Sequence, residues 1–195
     1  FRIHRQGSQV SARFDDIGLS DLTAGDVVVR VTYSDINYKD ALAATGTAPI
    51  LRKYPLVGGI DLAGEVVEST DSRYRVGDKV IATSFDIGVS HHGGYAQFAR
   101  VPAKWVLPLP AGLTLFESMA LGTAGFTAAL AIVRMETNGL TPANGPVVVT
   151  GATGGVGGLA IDMLAQLDYH VVALTGKERE QEYLRKLGAS EVKLT

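Results

Sequence analysis

The residue types best suited to holding a phosphate lie in the run Pro146-Val147-Val148-Val149-Thr150-Gly151-Ala152-Thr153-Gly154-Gly155-Val156-Gly157-Gly158-Leu159. A β-branched stretch passes into a glycine-dense turn. The turn then feeds apolar residues at helical spacing, Val156, Leu159, Ala160, Met163, Leu164 and Leu167. A helix N-terminus presents unpaired N–H groups and the positive end of the helix dipole to an anion. Side chains on the turn would block a pyrophosphate, which is why glycine suits it. The best register is Ala152-Thr153-Gly154-Gly155-Val156-Gly157, with alanine where the dinucleotide fingerprint has its first glycine. A generic strand-to-helix turn could share these residues, so the context has to decide. The helix ends near Asp168, and His170-Val171-Val172-Ala173-Leu174-Thr175 reads as a second buried strand. Together they form a β-α-β unit of about 30 residues, the context the fingerprint requires.

The tip of that second strand bears on which dinucleotide would fit. An NAD site places Asp or Glu about 20 residues on, to hold the ribose 2′-hydroxyl. Here the strand ends Thr175-Gly176-Lys177-Glu178-Arg179. No acid stands at the tip, the Thr-Gly pair leaves room, and a lysine follows, so the chemistry leans to a 2′-phosphate and NADPH. The other reading makes Lys177 and Arg179 the solvated first turn of the next helix, with Glu178 beside them.

His91-His92 near Asp86 is the one other grouping that invites a chemical reading, as a metal site. Adjacent histidines point to opposite sides of an extended chain, so a solvated loop is the better expectation. The chain has no cysteine, which excludes disulfides and cysteine-ligated zinc. A formal net charge of −2 gives no electrostatic case for nucleic acid or an anionic membrane. With 46% hydrophobic and 19% charged residues, the composition is that of a globular protein with a sizeable core. No apolar run is expected to reach the length of a transmembrane helix, no signal peptide is expected, and a cytoplasmic address is the default.

These residues need elements to position them. Phe1-Arg2-Ile3-His4 alternates like a strand, and Val27 to Tyr33 has the period of a half-buried one. Asp35 to Leu42 predicts a short helix entered from a loop. Glu65-Val66-Val67-Glu68 and Val80-Ile81-Ala82 predict further strands, and the chain returns to strand from Gly93 to Ala99. Short strands with glycine turns predict a β-rich, barrel-like unit. Thr114-Leu115-Phe116-Glu117 is a capping box that starts a helix, followed by the small-residue stretch Gly122 to Leu130. Glu191 to Thr195 reads as a third parallel strand. The fold class expected is therefore α/β, with a β-rich domain over 1–120 and a nucleotide-binding domain over 121–195. Half a doubly wound sheet would leave apolar faces and an edge open, so a fragment of a longer chain is expected.

Taken together, Asn37-Tyr38-Lys39-Asp40-Ala41, Gly59-Ile60-Asp61-Leu62-Ala63-Gly64, Gly122 to Ala128 and Val149 to Gly157 resemble the medium-chain dehydrogenase/reductase superfamily. The resemblance is to its zinc-free, quinone oxidoreductase-like branch, nearest the acrylyl-CoA reductase group. It implies a GroES-like catalytic barrel followed by a truncated Rossmann domain, with cofactor and substrate in an interdomain cleft. It also implies NADPH as cofactor, a small-molecule substrate and a homodimer. Residue by residue, Tyr38 matches the tyrosine near the nicotinamide. Thr153, Gly154, Gly155 and Val156 match the pyrophosphate turn, and Thr175, Gly176 and Lys177 the 2′-phosphate pocket. Thr123 and Thr127 match the helix facing the nicotinamide. Lys177 stands where the relatives often carry arginine. The zinc-dependent alcohol dehydrogenases have Gly-His-Glu where this chain has Gly59-Ile60-Asp61, so a zinc-assisted oxidation is not expected.

Without a metal, the reaction implied is hydride addition to an activated C=C bond of an α,β-unsaturated carbonyl, an enoyl thioester such as acrylyl-CoA. The developing enolate needs hydrogen-bond donors, and a proton must reach the α-carbon. Tyr38 is the candidate acid, with Asn37 positioning either the carbonyl or the tyrosine. Tyr38 as a packing or shielding aromatic, with water as the acid, stays open. Asp40 and Asp61 are expected to organise backbone. A quinone reductase and a non-catalytic NADPH-binding protein of sensory or structural role are the competing functions.

Overall fold

Val27, Val29, Leu62, Val66, Val80 and Val101 are buried together, and this valine-rich cluster is the core of the first of two compact units, Phe1–Thr123 and Ala124–Thr195. The computed structural model describes residues 1–195. In the first unit, β1 (Arg2–Gln6) pairs antiparallel with both β2 (Gln9–Arg13) and β4 (Leu56–Val57). A five-stranded antiparallel sheet follows the order β7-β3-β5-β6-β8, made of β3 (Val27–Tyr33), β5 (Asp61–Ser69), β6 (Lys79–Thr83), β7 (Phe98–Val101) and β8 (Leu107–Pro108). The short helix α1 (Tyr38–Thr45) connects β3 to β4.

Three local expectations are corrected here. The alternation of β3 breaks at its start, where Val27, Val28 and Val29 are all buried, because the pairing with β5 shifts register between Val28 and Val29. Strand β5 begins at Asp61 rather than Glu65, which brings that aspartate into the sheet. Strand β7 begins at Phe98, since the backbone N–H groups of Gly93, Gly94 and Tyr95 bond instead to the carbonyls of Val57, Gly59 and Gly58.

The second unit is a parallel sheet of order β11-β10-β9, from β9 (Val147–Val149), β10 (Val171–Thr175) and β11 (Glu191–Leu194). Parallel neighbours need crossovers, and α3 (Gly155–Gln166) and α4 (Gln181–Lys186) supply them. Ile161 and Leu164 of α3, Val171 and Ala173 of β10, and Leu184 of α4 form its core. The fold class is α/β, as expected from the sequence.

The long helix α2 (Leu115–Thr137) opens on the expected capping box: Glu117 N–H donates to Thr114 Oγ1 at 3.1 Å, and Thr114 N–H donates to Glu117 Oε2 at 2.8 Å. Its 23 residues and a mean hydropathy of 1.5 make it long and apolar enough to cross a membrane by length and composition, contrary to the sequence expectation. Alanine with scattered Leu, Phe, Ile, Val and Met raises its average, while the interspersed glycine and threonine keep these from reading as one apolar block. The helix is nonetheless broken at Gly122, with φ 48° and ψ −154°. Residues 123–137 that follow are fewer than the ~20 a span requires.

Candidate functional site

In the first unit, Asn37 before α1 and Thr123 of α2 converge on Asp61 at the start of β5, whose side chain is fully buried. Asn37 precedes α1 as its N-cap, and its backbone N–H donates to Asp40 Oδ2 at 2.9 Å. The other Asp40 oxygen accepts from Ile60 N–H at 3.1 Å, tying the start of α1 to the segment entering β5. Asp40 therefore organises backbone, as expected. The Asn37 amide nitrogen donates to Asp35 Oδ1 at 2.8 Å and to Asp61 Oδ2 at 2.9 Å. Asp61 also accepts from Thr123 N–H at 2.9 Å and from Thr123 Oγ1 at 2.6 Å. Ser84 Oγ lies 2.9 Å from Thr123 Oγ1 and extends the network to the end of β6. Asn37 and Thr123 are thus brought onto one carboxylate, and the Asn37 amide does not reach toward Tyr38.

Burial, together with the neighbouring Asp61 carboxylate, raises the Asp35 pKa to about 8. Tyr95 closes the same region: its hydroxyl donates to the Asp35 carbonyl at 2.8 Å, and burial, with the Asp40 charge next, pushes its pKa up. Tyr38 differs from all of these. It is the first residue of α1, 80% exposed, and its hydroxyl makes no hydrogen bond.

His91 and His92 correct the sequence reading, because both are buried. His91 Nε2 lies 2.7 Å from the Arg100 carbonyl, and its ring meets Trp105 edge-on with centroids 5.0 Å apart. His92 has no partner on either ring nitrogen, and burial lowers its pKa to about 4. Trp105 and the Arg100 carbonyl hold the His91 ring, and His92 N–H donates to Thr23 Oγ1 at 2.7 Å, contacts that a local reading of the loop cannot see. No three His, Cys, Asp or Glu side chains are grouped to hold a metal ion. Just before this loop, Ser84 and Phe85 both take positive φ, 62° and 49°, and Phe85 stacks on Trp105 with ring planes 11° apart.

In the second unit, the turn after β9 runs into α3, with Gly154 as the extended N-cap. The first-turn N–H groups of Gly155, Val156 and Gly157 have no intrahelical acceptor, the condition for an anion site. At Gly157 a Cβ would lie 2.4 Å from the Gly151 carbonyl oxygen, so only glycine lets α3 sit this close to the turn. Thr153, Thr175, Gly176 and Lys177 line one cavity of about 460 Å³, together with Thr150 and Gly151. Gly154, Gly155 and Val156 line a second, of about 520 Å³, with Val148 and Met135. Thr150 and Gly151 border both. Thr175 is buried and its Oγ1 accepts from Lys177 N–H at 3.1 Å, which fixes the start of the segment carrying the lysine. Thr127 is exposed on α2.

Sequence reasoning missed Asp35, Tyr95 and Ser84. Asp35 and Ser84 lack any motif of their own. The one local signal for Asp35 is its place two residues before Asn37.

The family described as the alcohol dehydrogenase GroES-like domain matches residues 23–111. YhfP of Bacillus subtilis (strain 168), which carries a provisional quinone oxidoreductase name, is 52% identical over 96% of this chain and 57% of its own length. Its solved structure, with NAD bound, matches 99% of this chain and 59% of that one, with a TM-score of 0.95. Acrylyl-CoA reductase AcuI of Ruegeria pomeroyi is 49% identical over 96% of this chain and 57% of its length. The yhdH oxidoreductase of Salmonella enterica, solved in complex with NADP, is 44% identical with a TM-score of 0.97, over 99% of this chain and 60% of that one. The chain thus spans somewhat more than half the length of these relatives.

Proposed function

We propose that this chain, which belongs to the medium-chain dehydrogenase/reductase superfamily in its zinc-free branch, serves NADPH-dependent reduction of an activated C=C bond in an α,β-unsaturated carbonyl. An enoyl thioester such as acrylyl-CoA is the substrate class this reading favours. The carrying observation is the single cavity shared by Thr153, Thr175, Gly176 and Lys177, with no acid at the tip of β10. Its chemistry suits a cofactor bearing a 2′-phosphate. Unpaired N–H groups at Gly155, Val156 and Gly157 suit the pyrophosphate. When bound, NADPH supplies the hydride.

The chain's own residues supply the rest. Lys177 and Thr175 hold the 2′-phosphate, and Thr153 with the first turn of α3 holds the pyrophosphate. Tyr38, exposed and without a hydrogen-bond partner, delivers the proton. Asn37 and Thr123 are held by Asp61 to fix the polar wall of the site.

NADPH oxidation on adding acrylyl-CoA or a related enoyl-CoA is the expected result. No turnover with any enoyl thioester would overturn the substrate assignment. A quinone reductase is the second reading, favoured by the 52% identity to YhfP with its quinone oxidoreductase name; turnover of ortho- or para-quinones alone would select it. Replacing Lys177 with alanine is expected to reduce the NADPH-over-NADH preference by about tenfold, a loss of about 1.4 kcal/mol in discrimination. An unchanged preference would remove Lys177 from the pocket.

A further inference from the structure

Two carboxyl groups meet at the N-cap of α1 without a cation between them. Asp61 accepts from Thr123 N–H, Thr123 Oγ1 and Asn37 Nδ2. Three donors on one buried side chain are the setting of an ionised carboxylate. Asp35 accepts from the same Asn37 amide, and its Oδ2 and that of Asp61 both lie against the Cβ position of Gly122, which sets the two carboxyls side by side. Two ionised carboxylates in that contact would repel in a partly buried setting, so one proton has to sit between them. With three donors already on Asp61 and one acceptor position left on it, Asp35 is the group that holds the proton and donates it to Asp61.

The contact reaches the backbone as well. A Cβ on Gly122 would lie 2.1 Å from Asp35 Oδ2 and 3.1 Å from Asp61 Oδ2. The break in α2 therefore rests directly on the pair, and the residue after the break, Thr123, is the one Asp61 grips twice.

We propose that Asp35 and Asp61 share one proton, and that this pair is a positioning device that orients the Asn37 amide and clamps the Gly122–Thr123 backbone. Both N–H bonds of Asn37 are spent on the two carboxyls, so its carbonyl oxygen is the one polar atom its side chain can offer a ligand. Asn37 therefore acts as an acceptor in the site and gives no stabilising donor to an enolate. Asp35 is a positioning residue that works through Asn37 and Thr123. The groups facing it are Asp61 from β5, Asp40 from α1 and Tyr95, whose hydroxyl donates to its carbonyl. Raising the pH removes the shared proton, sets two charges against each other and loosens the clamp. The consequence for turnover rests on the reduction proposed above; the shared proton does not.

The test is infrared spectroscopy of the protein carrying this chain, with isotope-labelled aspartate and a pH titration. Wild type is expected to show a protonated aspartate carbonyl band at neutral pH that disappears as the pH passes about 8. Asp35→Asn should lack the band, and Asp61→Asn should move the Asp35 titration to lower pH. Absence of the band in wild type at neutral pH, or its survival in Asp35→Asn, would overturn the proposal. Kinetics give the positioning readout. Asparagine at 35 can donate to Asp61 and accept from Asn37, so Asp35→Asn should keep kcat within about threefold and flatten its alkaline fall, whereas Asp35→Ala should lose about tenfold in kcat. Equal losses in both variants would remove the positioning role. A titrating band with no turnover of enoyl thioesters would overturn the proposed reaction and leave the shared proton standing.

Discussion

At the scale of single residues, Tyr38 and Asp35 make opposite predictions about proton handling. Tyr38 is exposed and unbonded, so Tyr38→Phe should leave stability nearly unchanged while lowering kcat by on the order of 10²-fold if it delivers the proton; steady-state kinetics on an enoyl thioester check this. Asp35 instead writes its proton into stability. Its pKa is raised from 3.8 to about 8 in the folded chain, so between those values the folded state binds more protons than the unfolded one. Stability from this group therefore falls as the pH rises from about 4 to about 8 and is flat above. Denaturant titrations across that range should show the slope in wild type and lose it in Asp35→Asn. The sequence carried Asn37 and Tyr38 on a recognisable motif. Asp35 was invisible as chemistry, because its character comes from Asp61, a residue distant in sequence and delivered by β5.

At the scale of elements, glycine decides how two helices meet their neighbours. Gly122 combines a positive φ with an Asp35 oxygen in the space of its Cβ. Gly122→Ala should therefore destabilise by roughly 1–3 kcal/mol through backbone strain alone. Adding Asp35→Gly should recover the part that comes from the clash, a double-mutant comparison readable by denaturant melts. Gly157→Ala drives a methyl into the Gly151 carbonyl and should cost at least about 1 kcal/mol, with weaker dinucleotide binding by calorimetry. The strand–turn–helix around Gly157 was legible because it is local, a β-branched run followed by helical spacing. The break at Gly122 was not. Its surrounding alanines and threonines read as uninterrupted helix, and the conformation is set by a contact with Asp35 that sequence spacing does not encode. The buried histidines failed for the same reason: adjacency suggested an exposed loop, and the tertiary partners Arg100 and Trp105 reversed it.

At the scale of the whole molecule, the α/β class was readable from the order of patterns, alternating strands first and then a strand–helix–strand series. The two units carry distinct apolar clusters, and each can be probed by itself. In the second, Leu164→Ala should cost about 2–5 kcal/mol and show as lost amide-exchange protection across β9, β10 and β11. The first holds a reporter of its own. Trp105 is the only tryptophan in the chain, and it stacks on Phe85 and meets His91 edge-on. Its emission is therefore a site-specific optical signal that needs no label. Because a protonated imidazole quenches indole fluorescence, the dimming on acidification should arrive below the ordinary histidine range, reflecting the burial that lowers the His91 pKa, and a His91→Gln variant should stay bright throughout.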